Sequence, residues 1–298
     1  MPTNQQRREA AKRKLERQLA NQAERARKRR IVGVVSTVVG VVAVVGVIYW
    51  LANIGGDSGT DPAASQSPTT PPETTAGDTP PDTPASIPTE LAAVPKRPTP
   101  LPAKVDCSYP AEADHPASKP VKAPADKGIS AQGTLTATLN INGADVKATL
   151  DRGLAPCTVN SFESLAKQGY FNDTTCHRLT TGDGLQVLQC GDPSGTGSGG
   201  PGYTFDDEVF PEIKYGRGIL AMANAGKNPE TNKGTNGSQF FIVYGSAELP
   251  PNYTVFGSID AANLEPIDEI AKAGTISQGS PGDGKPKNPV TIKTVLVG

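Results

Sequence analysis

Two histidines, His115 and His177, and four cysteines are the whole stock of the commonest nucleophilic and metal-ligating side chains in this 298-residue chain. His177 follows Cys176 directly and Cys190 lies further on, but these three lack the CxxC or HxxxH spacing of a zinc site. No metal is expected. The run Gly195-Thr-Gly-Ser-Gly-Gly200 formally matches GxGxxG. A dinucleotide fold needs an apolar strand before that run and a helix after it; PGYTFDDE follows here, so the match is discarded. There is no GK[ST] word to cradle a nucleotide phosphate, and His177 adjoins Arg178 rather than an activated nucleophile. No cofactor is expected. Chemistry built on a guanidinium, side-chain amides and aromatic rings remains, and it depends on what positions them.

The positioning elements lie in residues 129–298, enough for one domain. GTLTATLNINGADVKATLD alternates apolar and polar residues around Asn142-Gly143, a strong hairpin signal. Pro156 suits a first helical turn; Val159, Phe162, Leu165 and Ala166 share one face, and Gly169 supplies a stop. A second helix is expected over Pro266–Ala273, ended by Gly274. Short β-rich runs fall at Gln186–Gln189, Gly218–Met222, Gln239–Tyr244, Thr254–Ile259 and Val290–Val297. Many short strands with Gly-rich turns and two helices predict an all-β barrel or sandwich.

The rest of the chain is built differently. Hydrophobic residues make up 36% and aromatics 5%, low for a single globule of this length. The net charge of −1 conceals a segregation: residues 1–30 hold eleven basic residues against Glu9, Glu16 and Glu24. A uniformly basic nucleic-acid binder is excluded, and no nucleic-acid partner is expected. Residues 31–52, IVGVVSTVVGVVAVVGVIYWLA, carry no charge and would make roughly 33 Å of helix, enough to cross a hydrocarbon core of about 30 Å. A cleaved signal peptide would be shorter and end in an Ala-x-Ala-like site, which LANIGG lacks. A single transmembrane helix is therefore expected. It would anchor the chain in the bilayer of the cell membrane, with the basic segment cytoplasmic and the C-terminal part outside. Residues 53–128 read as a disordered Pro/Thr/Ser-rich linker: sixteen of the 28 prolines fall between Pro62 and Pro124. Its tail, around Cys107 and Tyr109, is placed on the domain.

Five stretches read together carry a resemblance: HRL (177–179), VLQCGDPSGTGSGGPGYTFDDE (187–208), GILAMANAG (218–226), NGSQFFIVY (236–244) and YTVFG (253–257). In this order and spacing residues 129–298 resemble the cyclophilins, a family of peptidyl-prolyl cis-trans isomerases. The resemblance implies an eight-stranded antiparallel β-barrel capped by two helices. It also implies rotation of X-Pro amides in proline-containing polypeptide clients, here during folding of exported proteins. A non-catalytic proline-peptide-binding module tethered to the membrane is the alternative. The catalytic arginine falls on Arg178 and the pocket glutamine on Gln189, with Val187 in the neighbouring apolar position. Ala223-Asn224 is the pair whose backbone receives the peptide, Gln239 the second glutamine, and Phe241 the floor of the proline pocket.

Departures from the pattern are local. Three extra residues between Arg178 and Gln189 put Gln186, or Leu185, where a pocket Phe is usual. KNPETNKGT (227–235) is a longer loop than is common. Leu249 replaces a Trp that matters for cyclosporin in animal relatives, and Tyr253 replaces a pocket histidine. Four cysteines in an external chain admit three pairings. Cys176–Cys190 is favoured, because the strands holding them are expected to be neighbours, which leaves Cys107–Cys157. Side-chain parity opposes the first pairing: on a regular strand Cys176 shares the face of Arg178, so a bulge near Gly191 is required.

Overall fold

The computed structural model describes residues 82–298. The expected cytoplasmic segment 1–30, the span 31–52 and the linker up to 81 lie outside the described residues. Among the described residues no helix is long and apolar enough to cross a membrane.

Asn142 and Gly143 both take positive φ, 50° and 91°, the turn that matches strand twist. It joins β3 (Thr134–Ile141) to β4 (Ala144–Asp151), paired in full register from Thr134↔Asp151 to Ile141↔Ala144. Alternation then does the sorting: Val146, Ala148 and Leu150 of β4 are buried while Lys147 and Thr149 face out. The remaining elements are β1 (Lys104–Val105), β2 (Ile129–Ser130), α1 (Pro156–Lys167), β5 (Thr174–Thr175), β6 (Arg178–Thr180), β7 (Leu185–Cys190), β8 (Tyr215–Gly216), β9 (Ile219–Met222) and β10 (Phe240–Ala247). They are followed by β11 (Val255–Ile259), α2 (Ala261–Ala273), β12 (Thr275–Ser280), β13 (Asp283–Pro286) and β14 (Thr291–Val297).

Hydrogen bonding runs in the order β12-β13-β6-β7-β10-β9-β11-β4-β3-β14-β5, with β8 added on β10. Among the described residues the ends of this path, β12 and β5, do not pair. The expected closed eight-stranded barrel is therefore a curled antiparallel sheet of twelve strands. Short pieces such as the two-residue β5 and β8 raise the count. The hairpin β12–β13 occupies the edge beside β6.

α1 has Pro156 in its first turn and no capping side chain on Ala155. The cap comes from far along the chain: the Glu208 carboxylate accepts from the N–H groups of Cys157 (3.0 Å) and Thr158 (2.8 Å) and from Thr158 Oγ1 (2.8 Å). An anion at that end also meets the positive pole of the helix. Phe162 of α1 packs on Phe171, Phe240 and Phe256 at ring distances of 4.9, 5.5 and 5.5 Å, which locks the helix over the sheet. α2 begins five residues before the expected start, because Asp260 caps it by accepting from Asn263 N–H at 2.9 Å. Pro266 lies inside this helix rather than opening it.

The linker expected to run to 128 is laid on the domain from Asp82 onward. Asp82 C=O accepts from Thr275 N–H (2.8 Å), and Ala92 N–H donates to Arg217 C=O (2.9 Å). Arg97 donates to Leu154 C=O (2.8 Å) while its guanidinium lies 5.2 Å from the Phe210 ring centre. β1 pairs β2, Cys107 is bonded to Cys157, and the Tyr109 ring meets Tyr203 and Phe205 edge-on. A proline-rich extended chain cannot build a core of its own, but it can form a belt around an existing one. Ile87, Ala92, Tyr109 and Val121 of the belt pack against the core, while Leu91 and Val94 stay exposed.

Both favoured disulfides are present, Cys107–Cys157 and Cys176–Cys190. The parity objection disappears because β5 ends at Thr175 and β6 begins at Arg178, so Cys176 and His177 lie outside both strands. Gly191, at φ 90°, turns the chain directly after Cys190. Peptide mapping without reductant is expected to recover both linked pairs, and four free thiols would contradict them. The Cys107–Cys157 bond closes a 50-residue separation. In the chain-entropy model such a closure is worth about 4 kcal/mol, so replacing both cysteines by Ser is expected to lower the denaturant midpoint accordingly.

Candidate active site

The site follows from strand pairing. Arg178 of β6 stands opposite Gln189 of β7, and Gln189 stands opposite Phe241 of β10. Antiparallel partners point to the same face, so three neighbouring strands project a guanidinium, an amide and a ring into one cleft. Arg178 Nη1 donates to Gln189 Oε1 at 3.2 Å, and Gln189 Nε2 donates to Gln239 Oε1 at 3.0 Å. Gln239 Nε2 in turn donates to the carbonyls of Gly197 (2.9 Å) and Gly199 (3.0 Å). The amide chain thus ties the arginine to the glycine loop across the cleft.

That loop has its own anchor, Asp192, which is fully buried. Its carboxylate accepts from Ser194 N–H (2.7 Å), Gly197 N–H (2.7 Å) and Gly199 N–H (3.0 Å). Burial pushes this carboxyl up, but the bonds from Ser194, Gly199 and Gly197 together hold it below its ordinary value. Gly199 is obligatory here, because a Cβ would run into the Asp192 carboxylate.

Phe241 is 4% exposed and Val187 2%, an apolar floor. Tyr253, in the expected histidine position, sets its ring at 81° to Phe241 with centroids 5.8 Å apart. Tyr215 completes the cluster: its centroid lies 6.4 Å from that of Phe241, its hydroxyl donates to Tyr253 C=O (2.7 Å), and it accepts from Tyr253 N–H (2.9 Å). Burial pushes the Tyr215 hydroxyl up to about 12, which keeps it a neutral donor. Leu249, half-buried, packs against the same core. Ala223 N–H donates to Gln239 C=O (3.0 Å), which fixes the strand end. Asn224 directs its side chain away from the cleft floor: Nδ2 donates to Asp207 Oδ1 (3.1 Å) and Asn252 C=O (3.0 Å), leaving the Asn224 backbone at the rim. Gln189, Gln239, Ala223 and Asn224 also line a groove of about 490 Å³ that runs from the cleft toward Lys227 and the belt residues Glu112 and His115.

One expectation is corrected by the geometry. Gln186 does not enter the pocket in place of a Phe: it is buried on the other face of β7, where Nε2 donates to Ser86 C=O (2.9 Å) and Oε1 accepts from Ser246 N–H (2.9 Å). Its neighbour Leu185 pairs with Ala247, across an irregularity at which β10 carries two more residues than β7. The long loop 227–235 folds back on itself through Lys227↔Gly234.

One close partner had no signal in the sequence. Asp283 accepts from Arg178 Nε and Nη2, both at 2.7 Å, and this is the first cause of a further rise in the arginine's already high pKa. His177, next along the chain, is pulled down chiefly by burial, so it stands beside Arg178 as a neutral imidazole. Among the described residues no group of three or more His, Cys, Asp or Glu could hold a metal ion.

Arg178 thus stands beside Gln189 and the buried Phe241 on one face of an antiparallel sheet. The family model for cyclophilin type peptidyl-prolyl cis-trans isomerase matches residues 136–297. Over 308 aligned residues the chain is 44% identical to the probable peptidyl-prolyl cis-trans isomerase B of Mycobacterium leprae, covering 99% of each chain. It is 47% identical over 205 residues to the corresponding probable isomerase B of Mycobacterium tuberculosis, covering 64% of each. A crystal structure of a Cryptosporidium parvum cyclophilin type isomerase in the presence of the dipeptide ala-pro aligns at 33% identity and a TM-score of 0.44, over 55% of this chain and 98% of that one. The chain belongs to the cyclophilin type peptidyl-prolyl cis-trans isomerase family, and it is a peptidyl-prolyl cis-trans isomerase.

Proposed function

We propose that this isomerase is held in the cell membrane by residues 31–52 and acts outside it on X-Pro bonds of exported proteins, with Arg178 assisting rotation. The observation that carries the mechanism is the convergence of Arg178, Gln189 and Phe241 from three adjacent strands. A prolyl amide resists rotation by roughly 20 kcal/mol because conjugation holds it planar. Twisting breaks that conjugation and localises the nitrogen lone pair, which then accepts a hydrogen bond that neither planar ground state can. A guanidinium placed there stabilises the twisted state selectively, the requirement for catalysis. Shortening an exchange of ~100 s to ~1 ms needs about 7 kcal/mol. Phe241 and Val187 hold the pyrrolidine ring; Gln189 and the Asn224 backbone hold the peptide.

The anchor rests on sequence: an uncharged stretch at 31–52 behind a strongly basic flank. The linker up to 81 would then separate bilayer and belt. A protease added to intact spheroplasts is expected to release a soluble fragment carrying the isomerase activity, cut before the belt. Release only after lysis would reverse the topology. A coupled isomerisation assay on a short X-Pro peptide separates this reading from a docking module, which would bind the peptide without turnover.

A further inference from the structure

The hairpin β12–β13 lies at one edge of the sheet and would be expected to vary freely, yet its geometry converges on one side chain. Gly282, at φ 71°, makes the turn that precedes Asp283, and Gly284 has no room for a Cβ against the Ile276 carbonyl. The register Asp283↔Thr180 and Gly284↔Leu179 fixes β13 against β6. Thr181 N–H donates to Gly282 C=O at 2.8 Å, so backbone bonds hold the hairpin in place independently of any ion pair. The Asp283 carboxylate then takes the Nε/Nη2 edge of Arg178 as a two-point pair, both bonds at 2.7 Å.

We infer that Asp283 is a positioning residue for the isomerisation, holding the Arg178 guanidinium in the one orientation that presents its remaining donors to the substrate amide. This rests on the role proposed above for Arg178. The count of donors supports it. A guanidinium has five N–H bonds. Two go to Asp283 and one, from Nη1, to Gln189 Oε1, which leaves one hydrogen on Nη1 and one on Nη2. With two edges of the fork tied, the plane cannot rotate about its long, flexible stem, and its ordering is complete before substrate arrives. An ion pair of this exposure, 37% and 36%, adds little to stability, so its use lies in geometry rather than in holding the fold. Lys285 lines the same cleft of about 530 Å³ as Arg178 and Asp283.

The test is a double-mutant cycle on the full chain in a coupled X-Pro assay. Asp283→Ala is expected to lower kcat about ten- to hundredfold with KM within twofold, the signature of a misplaced catalytic group. Asp283→Asn, nearly isosteric, is expected to lose nearly as much, because its amide N–H faces guanidinium donors; Asp283→Glu should recover part of the rate. In an Arg178→Ala background, Asp283→Ala should cost nothing further, whereas a merely structural role would add in full. Thermal unfolding of the Asp283→Ala and Asp283→Asn variants should stay close to the parent. Equal losses in the two backgrounds, or activity of Asp283→Ala and Asp283→Asn within twofold of the parent while Arg178→Ala is inactive, overturns the positioning role alone. An Arg178→Ala chain that keeps its activity overturns the role of Arg178 and the positioning role with it.

Discussion

Arg178→Ala is expected to lower kcat/KM on a short X-Pro peptide by about 10²–10³, the usual loss when a donor aimed at the transition state is removed. The fold should survive. Arg178 is the first residue of β6, 37% exposed, and the Asp283 carboxylate it leaves behind is 36% exposed and can be solvated. Arg178→Lys should recover little: an ammonium has no planar fork, so it cannot pair Asp283 along one edge, meet Gln189 and still face the substrate. Activity within threefold of the parent in the folded Arg178→Ala chain would remove the proposed mechanism.

Phe241→Ala should act differently and on two observables. The ring is 4% exposed and meets both Tyr215 and Tyr253, so its loss opens a cavity and is expected to cost about 3–5 kcal/mol of stability. In the assay, lost packing against the proline ring weakens ground and transition states together. KM should rise about tenfold or more while kcat falls less. Phe241→Leu keeps most of the buried area and should restore stability before it restores affinity. A variant that keeps its KM but loses kcat would mean that Phe241 does not form the binding floor.

The two variants separate because the site has two parts, and these differed in how far sequence could reach them. Arg178, Gln189, Asn224, Gln239 and Phe241 sit inside contiguous words whose residue types and spacing carry their meaning. Pairing then brings Arg178, Gln189 and Phe241 side by side, as alternation along β6, β7 and β10 requires. Counting along the motif puts Gln186 in the pocket, but in β7 it lies one position from Val187, and strand parity sends its side chain to the face opposite that of Gln189. Asp283 and Tyr215 were silent. Each lies in a polar, turn-rich run, SPGDGKP or IKYGRG, where no periodicity points to a site. Their meaning arises only from what lies opposite them in the folded chain.

Local rules acting over a few residues settled much of this protein from sequence. The Asn142-Gly143 turn, the amphipathic face of α1 and the short motif words have their causes close by in the chain. Tertiary structure decided whatever depends on partners far along the chain. Glu208 caps α1 from fifty residues away, the open curl of the sheet depends on which short strands meet at its ends, and Asp283 reaches Arg178 across 105 positions. The belt is the clearest case. Residues 82–128 are too poor in apolar side chains to fold by themselves, and composition reads them as spacer. Composition measures what a segment can bury alone, whereas Ile87, Tyr109, Cys107 and Arg97 are ordered by a core that other residues supply.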